Sequence, residues 1–175
     1  MSIFKKLFGE KKPTQPAQTP PTSKGTQLRE LMLSMNAEEH LVEPLEPGRR
    51  VVGVLMDMPM VTEWFSIFST VLGDASLYST TNFGVIGGEV HPTVHDAALK
   101  FVDAAEEHYD ITTPTDDITY PSPGMVRFYF ICTDGLRSVE HPFESIMNPS
   151  NPALLLFVHA QMVLGELRKM SEARS

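Results

Sequence analysis

The sequence of 175 residues contains a single cysteine, Cys132, and one tryptophan. One cysteine cannot form an internal disulfide, which argues against a secreted scaffold held together by disulfides and favours a reducing compartment. No apolar stretch reaches the length of a transmembrane helix, and the first residues lack the apolar run and cleavage site of a signal peptide. We therefore expect a cytoplasmic protein.

Lysine is scarce beyond residue 25, where only Lys100 and Lys169 occur. The formal net charge of -8 divides into +4 for residues 1–25 and -12 for the remainder. The acidic remainder has no basic stripe that would neutralise phosphates, which argues against nucleic-acid binding. A P-loop, a nucleophile elbow and paired zinc-ligand motifs are also lacking, so the sequence predicts neither a cofactor nor a metal.

Residues 1–25 differ in character from the rest of the chain. Residues 1–12 are basic and amphipathic, and 13–25 are rich in proline without large apolar side chains. We interpret 13–25 as a disordered linker and 26–175 as a single globular domain. The segment 1–12 is predicted to make weak peripheral contact with an anionic membrane or an acidic partner, the alternative being a tail that contacts nothing. Its apolar residues are Ile3, Phe4, Leu7 and Phe8.

Apolar periodicity and turn residues predict eight elements in the body of the chain. Reading 60–72 as a crossover helix between two strands gives a parallel β-α-β unit, and Asp134-Gly135 marks an antiparallel hairpin. The predicted class is α+β, with a mixed sheet of about four strands packed with three to four helices. The predicted helices are 26–42, 60–72, 92–109 and 152–170, and the strands are 50–57, 75–83, 125–132 and 136–140.

The predicted last helix is apolar on more than one side, because the stretch 145–165 contains no ionised group. One sheet covers only one face of a helix, and we interpret the second face as a homodimer interface. The alternative is a helix buried on both sides within one chain, beneath the helix at 26–42. The face predicted to pack on the sheet comprises Leu156, Phe157, Ala160, Val163, Leu164 and Leu167, and the interface comprises Leu154, Leu155, Val158 and Met162.

A second hypothesis places a ligand pocket or an active site where the first two predicted strands end. Its candidate catalytic residues are Asp57, His91 and His95, and its candidate ligand-binding residues are Gly84, Gly87 and Gly88. Two histidines four residues apart suit one metal ion when both lie in a helix, and a glycine turn before a helix presents N–H groups to an anion. The structural alternatives are a capping histidine, a surface histidine and a tight turn. The pocket requires Asp57 and His91 to meet in one cleft.

Acidic residues cluster between the third predicted helix and the loop that follows it. They form either a solvated edge or a docking surface for a basic protein partner. Together these patterns favour a non-enzymatic, homodimeric protein-interaction or regulatory module with an acidic docking surface, and the alternative is a small enzyme or ligand-binding domain. The acidic residues are Asp103, Glu106, Glu107, Asp110, Asp116 and Asp117.

Overall fold

The computed structural model describes residues 23–41, 43–81, 84–87 and 90–173. Within them the chain forms three α-helices and one seven-stranded antiparallel sheet, which confirms the α+β class. The basic segment 1–12 and most of the predicted linker lie outside these residues. The elements are α1 (Lys24–Ser34), β1 (Val51–Pro59), β2 (Trp64–Thr70), β3 (Ala75–Ser79), β4 (Gly84–Gly87), α2 (Pro92–Glu107), β5 (Thr113–Pro114), β6 (Met125–Cys132), β7 (Gly135–Pro142) and α3 (Leu154–Glu172).

The strands follow the order β4-β3-β2-β1-β6-β7-β5 across the sheet. The first four form a meander, in which each strand pairs with its predecessor. The chain then crosses the sheet through α2 and returns as the β6–β7 hairpin predicted from Asp134-Gly135, with β6 against β1. Gly135 adopts a φ of 117°, a left-handed conformation that favours glycine.

The predicted parallel β-α-β unit and the sheet of about four strands are both wrong. The segment read as a crossover helix contains β2, which pairs with β1 in antiparallel register from Gly53↔Thr70 to Pro59↔Trp64. The error arises because β2 is covered on both faces, so its apolar residues do not alternate with exposed polar ones. Phe65 and Ile67 face one core, whereas Phe68 and the buried Ser66 face the other.

Strand β1 lies at the centre of the sheet. Eight of its nine residues are buried. Val54, Met56 and Met58 contribute to the core under α2 and α3, whereas Leu55 contributes to the core under α1. The sheet is therefore the middle layer of three, with two helices on one face and one on the other.

The sequence predicts the inward face of α3 correctly. The residues assigned to that face are all buried in the core that α3 shares with α2 and the sheet. An uninterrupted helical period with no competing polar residue makes this face unambiguous. None of the described helices is long and apolar enough to cross a membrane.

Helix α1 differs from the predicted helix 26–42 at both ends. Ser23 caps it, and it ends at Ser34. Asn36 and Glu39 form a capping box that opens a separate 3-10 helix, Ala37–His40.

The buried residues of α1 are Gly25, Thr26, Arg29 and Leu33, so the helix turns a charged residue toward the sheet. Gly25 permits this close approach, because a Cβ atom at this position would overlap the carbonyl oxygen of Ser79 in β3.

We predict that Gly25→Ala destabilises the protein although alanine is the better helix former. The added methyl group meets rigid backbone, and overpacking of this kind costs about 1–3 kcal/mol. Urea unfolding followed by circular dichroism measures the loss. Gln27→Ala is the control, because it introduces the same residue at an exposed position of the same helix. Equal stability of the two variants would show that α1 does not pack this closely on β3.

Candidate functional site

The most deeply buried charges of the described structure are those of Arg29 and Asp57. Arg29 is 1% exposed and Asp57 is fully buried. The guanidinium of Arg29 donates from Nε to Oδ1 of Asp57 over 3.0 Å and from Nη2 to Oδ2. Ser66 of β2 donates a further hydrogen bond to Oδ1 over 2.6 Å. Asp57 therefore joins α1 to the centre of the sheet.

Arg29 also fixes the loop between β5 and β6. Its Nη1 donates to the carbonyl oxygen of Ile118 over 2.7 Å. The ring of Tyr120 lies over the guanidinium, 4.1 Å from ring centre to Cζ, and stacks on Trp64 at the start of β2. The hydroxyl of Tyr129 donates to the carbonyl oxygen of Thr119. One arginine thus holds a helix, two strands and a loop in register.

The protonation of this cluster follows from its surroundings. Burial alone lowers the pKa of Arg29, but the charge of Asp57 and the hydrogen bonds to it outweigh burial and raise the pKa above its ordinary value. Burial raises the pKa of Tyr120 and of Tyr129, so both phenols stay protonated at neutral pH. The cluster therefore holds a charged arginine beside neutral phenols, and its contacts account for a structural role.

The structure does not bring Asp57 together with the two candidate histidines. The ring of His95 packs on Gly73, in the turn after β2, so closely that a Cβ atom there would overlap it. Asp57 pairs with Ser66, and Thr70 at the end of β2 lies about 13 Å further along the strand.

The other partners of a catalytic or metal site are equally scattered. His91 takes the N-cap position of α2 and lies elsewhere, at the rim of a groove considered below. Among the described residues no group of three or more histidine, cysteine or acidic side chains is placed to hold a metal ion.

The glycine segment proposed to bind an anion is a strand rather than a turn. Gly84 and Gly87 are the ends of β4, and Gly88 lies outside the described residues. Gly87 lies close to α3, because a Cβ atom there would be 2.6 Å from Cε of Met170. These two glycines line the edge of the sheet and do not form a loop at a helix N-terminus.

The predicted acidic cluster is largely neutralised within the chain. Arg49 pairs with Asp103, and Arg50 pairs with Glu106 and Asp110. Glu106 also accepts hydrogen bonds from the backbone N–H groups of Arg50 and Val51. These contacts lower the pKa of Glu106 although its partial burial opposes them. Much of this edge therefore holds α2 to the start of β1.

The predicted interface face of α3 is open in the described structure. Leu155 is 52% exposed and Met162 is 46% exposed, whereas Leu154 and Val158 are half-buried. The alternative of a helix covered by the N-terminal helix is wrong, because α1 packs on the opposite face of the sheet.

A groove of about 580 Å³ lies beside α1 on the other face of the sheet, and we call it the α1 groove. Its floor is apolar and includes Leu28 and Met32 of α1 with Phe68 and Tyr78 of the sheet. Ile86 and Val90 on its rim are 67% and 84% exposed. Glu39 and Asp74 add acidic groups, and no lysine or arginine is among the described residues that line it.

Sequence reasoning missed both the ion pair and the α1 groove. Asp57 is the only acidic residue in β1, and Arg29 interrupts an otherwise apolar helix face, so each charge is a signal when taken alone. Their pairing joins residues 28 positions apart and is invisible to helix or strand periodicity. The groove arises only when α1, the 3-10 helix and the β2–β4 meander are assembled.

We predict that Asp57→Ala costs about 3–5 kcal/mol of unfolding free energy, because it leaves the buried charge of Arg29 without a partner. The double variant Arg29→Met with Asp57→Ala should recover much of the loss, since no charge stays buried. Urea unfolding of the single and double variants measures both effects.

Asp103→Asn is the control, because it breaks an ion pair whose acid is 59% exposed and should change little. A loss below about 1 kcal/mol for Asp57→Ala would show that α1 does not depend on the pair.

His40 provides a test by pH, because burial lowers its pKa below the ordinary 6.5 despite the hydrogen bond to the carbonyl oxygen of Met32. The unfolded chain therefore binds a proton at a higher pH than the folded one. Stability is complete above the unfolded pKa and falls as the pH drops below it.

We predict weaker thermal stability at about pH 5.5 than at about pH 7.5, and a shallower fall in His40→Gln. Burial also lowers the pKa of His141 and His159, so part of the dependence of thermal stability on pH remains in the variant. An unchanged slope in His40→Gln would contradict the assignment.

No known protein family model, no curated protein and no solved structure matches this chain.

Proposed function

We propose that the chain is a non-enzymatic protein-interaction module that works as a homodimer, joined through the outward face of α3. The observation that carries the proposal is the exposed apolar seam at Leu155, Val158 and Met162. It lies in a stretch of 21 residues, 145–165, that has no ionised group. An apolar helix face that its own chain leaves open is typical of an interaction surface.

The seam is complementary to a second copy of itself. Leu155, Val158, Met162 and Gly165 are spaced by three, four and three residues, which places them on one side of the helix. In an antiparallel pair of helices centred near residue 160, Leu155 of each copy faces Gly165 of the other, and Val158 faces Met162. A Cβ atom at Gly165 would meet nothing within 4 Å, so the glycine leaves a notch for the leucine.

Polar residues surround this apolar seam, as they do in the rim of protein interfaces. A shallow groove of about 430 Å³ between α2 and α3 is lined by Asp96 and Lys100 of α2 beside Met162 and Gly165. Glu166 and Lys169 form an ion pair one turn further along α3. An apolar centre with a polar rim supports reversible association of folded chains.

The enzyme hypothesis has less support from the geometry, because Asp57 is engaged by Arg29 and Ser66 and lies away from His95. We also propose a cytoplasmic location. Burial raises the pKa of the Cys132 thiol to about 12, which keeps the single cysteine protonated and unreactive in a reducing compartment.

We predict that the protein is a dimer at micromolar concentration and that Leu155→Glu makes it monomeric, because the substitution places two charges at one seam. Size-exclusion chromatography with light scattering measures the mass. Leu31→Glu is a matched control, since Leu31 is also a helical leucine, 53% exposed, but lies on α1. A monomeric wild type, or equal effects of the two substitutions, would overturn the dimer.

Gly165→Ala tests the register of the pair. Within one chain the methyl group has room, and replacing a helical glycine by alanine stabilises by up to about 1 kcal/mol. In the dimer, the added methyl group occupies the notch for Leu155 at both symmetric contacts. We therefore expect the dissociation constant of the dimer to rise at least about tenfold. Sedimentation equilibrium measures the dimer, and thermal unfolding of Gly165→Ala in the Leu155→Glu background measures the single chain. A dissociation constant equal to that of the wild type would exclude this register.

A further inference from the structure

We propose that residues 3–12 of this chain dock into the α1 groove of the same molecule as a short amphipathic helix. The groove lies on the opposite face of the sheet from the α3 seam, so the inference is independent of the proposed dimer. Three properties of the groove identify this occupant: its apolar floor, its acidic rim and its distance from the start of α1.

The apolar floor matches the apolar side of the segment. Leu28, Phe68 and Tyr78 form a floor that is wide enough for large side chains, and Ile86 and Val90 extend it to the rim. Val90 is 84% exposed in the described structure, so covering it removes apolar surface from water. In a helix, Ile3, Phe4, Leu7 and Phe8 lie on one side and provide the surface to do so.

The charges match as well. Glu39 and Asp74 line the groove, and its lining in the described part of the chain includes no lysine or arginine. The segment carries Lys5, Lys6, Lys11 and Lys12 against a single acidic residue, Glu10. His40 is also present, and burial lowers its pKa, so it adds little positive charge near neutral pH. A basic helix therefore meets acidic groups on the rim rather than like charges.

The connection is long enough. Ten residues, 13–22, separate the segment from Ser23, and four of them are proline. An extended proline-rich stretch of this length spans about 30 Å. Met32, a groove residue on α1, lies only about 13 Å along the helix from Ser23. A short tether also gives the segment a high local concentration at the groove, so that moderate affinity suffices.

Engineered disulfides in the full chain test the proposal. Gly9→Cys combined with Val90→Cys should form a crosslink within one molecule under mild oxidation, visible as a monomer band of altered mobility without reductant. Gly9→Cys combined with Met147→Cys is the control, because Met147 is 59% exposed but lies in the connection between β7 and α3, outside the α1 groove. We expect the first pair to react at least about tenfold faster. Cys132 can stay in place because it is buried.

A third variant of the chain distinguishes specific docking from random encounters that the tether alone allows. Adding Phe4→Ser and Leu7→Ser to the Gly9→Cys, Val90→Cys pair leaves the tether intact and should reduce crosslinking to the control rate. Equal rates for the first two pairs would overturn the proposal, as would crosslinks that join two molecules.

Vesicles of phosphatidylcholine with phosphatidylserine distinguish the membrane alternative. Crosslinking at the control rate without vesicles, together with vesicle binding that the Phe4→Ser, Leu7→Ser pair abolishes, would assign the segment to lipid and overturn docking. Rapid crosslinking without vesicles supports docking whether or not vesicles compete with it.

Discussion

The rest of the fold depends on how the buried charge of Arg29 is satisfied. A cation without water near it is tolerated only where acceptors surround it, and here Asp57 and the carbonyl oxygen of Ile118 supply them. Those acceptors come from the central strand and from a loop that has little regular structure of its own. The requirement therefore selects one position for α1, and the apolar contacts of that helix then complete the second core.

The limits of sequence reasoning follow from the same cluster. Where burial is one-sided, as in α3, periodicity predicts the packed residues correctly. In β2 it fails, because Ser66 is buried to serve Asp57 and so breaks the alternation that marks a strand. The same applies to α1, whose buried face includes the charged Arg29 as well as Leu33. Long-range pairing decides these positions, and no local pattern records it.

The two faces of the sheet are covered by helices to different extents. On one face, α2 and α3 share a continuous core with the sheet, and the outward seam of α3 stays exposed. On the other face, the described chain places a single α-helix, α1, against the seven-stranded sheet, and the α1 groove lies beside it. An eleven-residue helix is about 16 Å long and cannot cover a sheet of this width. The groove is therefore open because one face of the sheet carries two of the described helices and the other carries one.

The two outermost strands limit the ways in which this molecule can grow into larger assemblies. On one border β4 has four residues and is glycine at both ends, and on the other β5 has two and ends in Pro114. Short borders that contain glycine or proline are poor templates for strand addition, because proline offers no N–H and glycine weakens extended pairing. Neither border invites open-ended, fibre-like stacking. The proposed association through α3, unlike strand addition, closes at two copies.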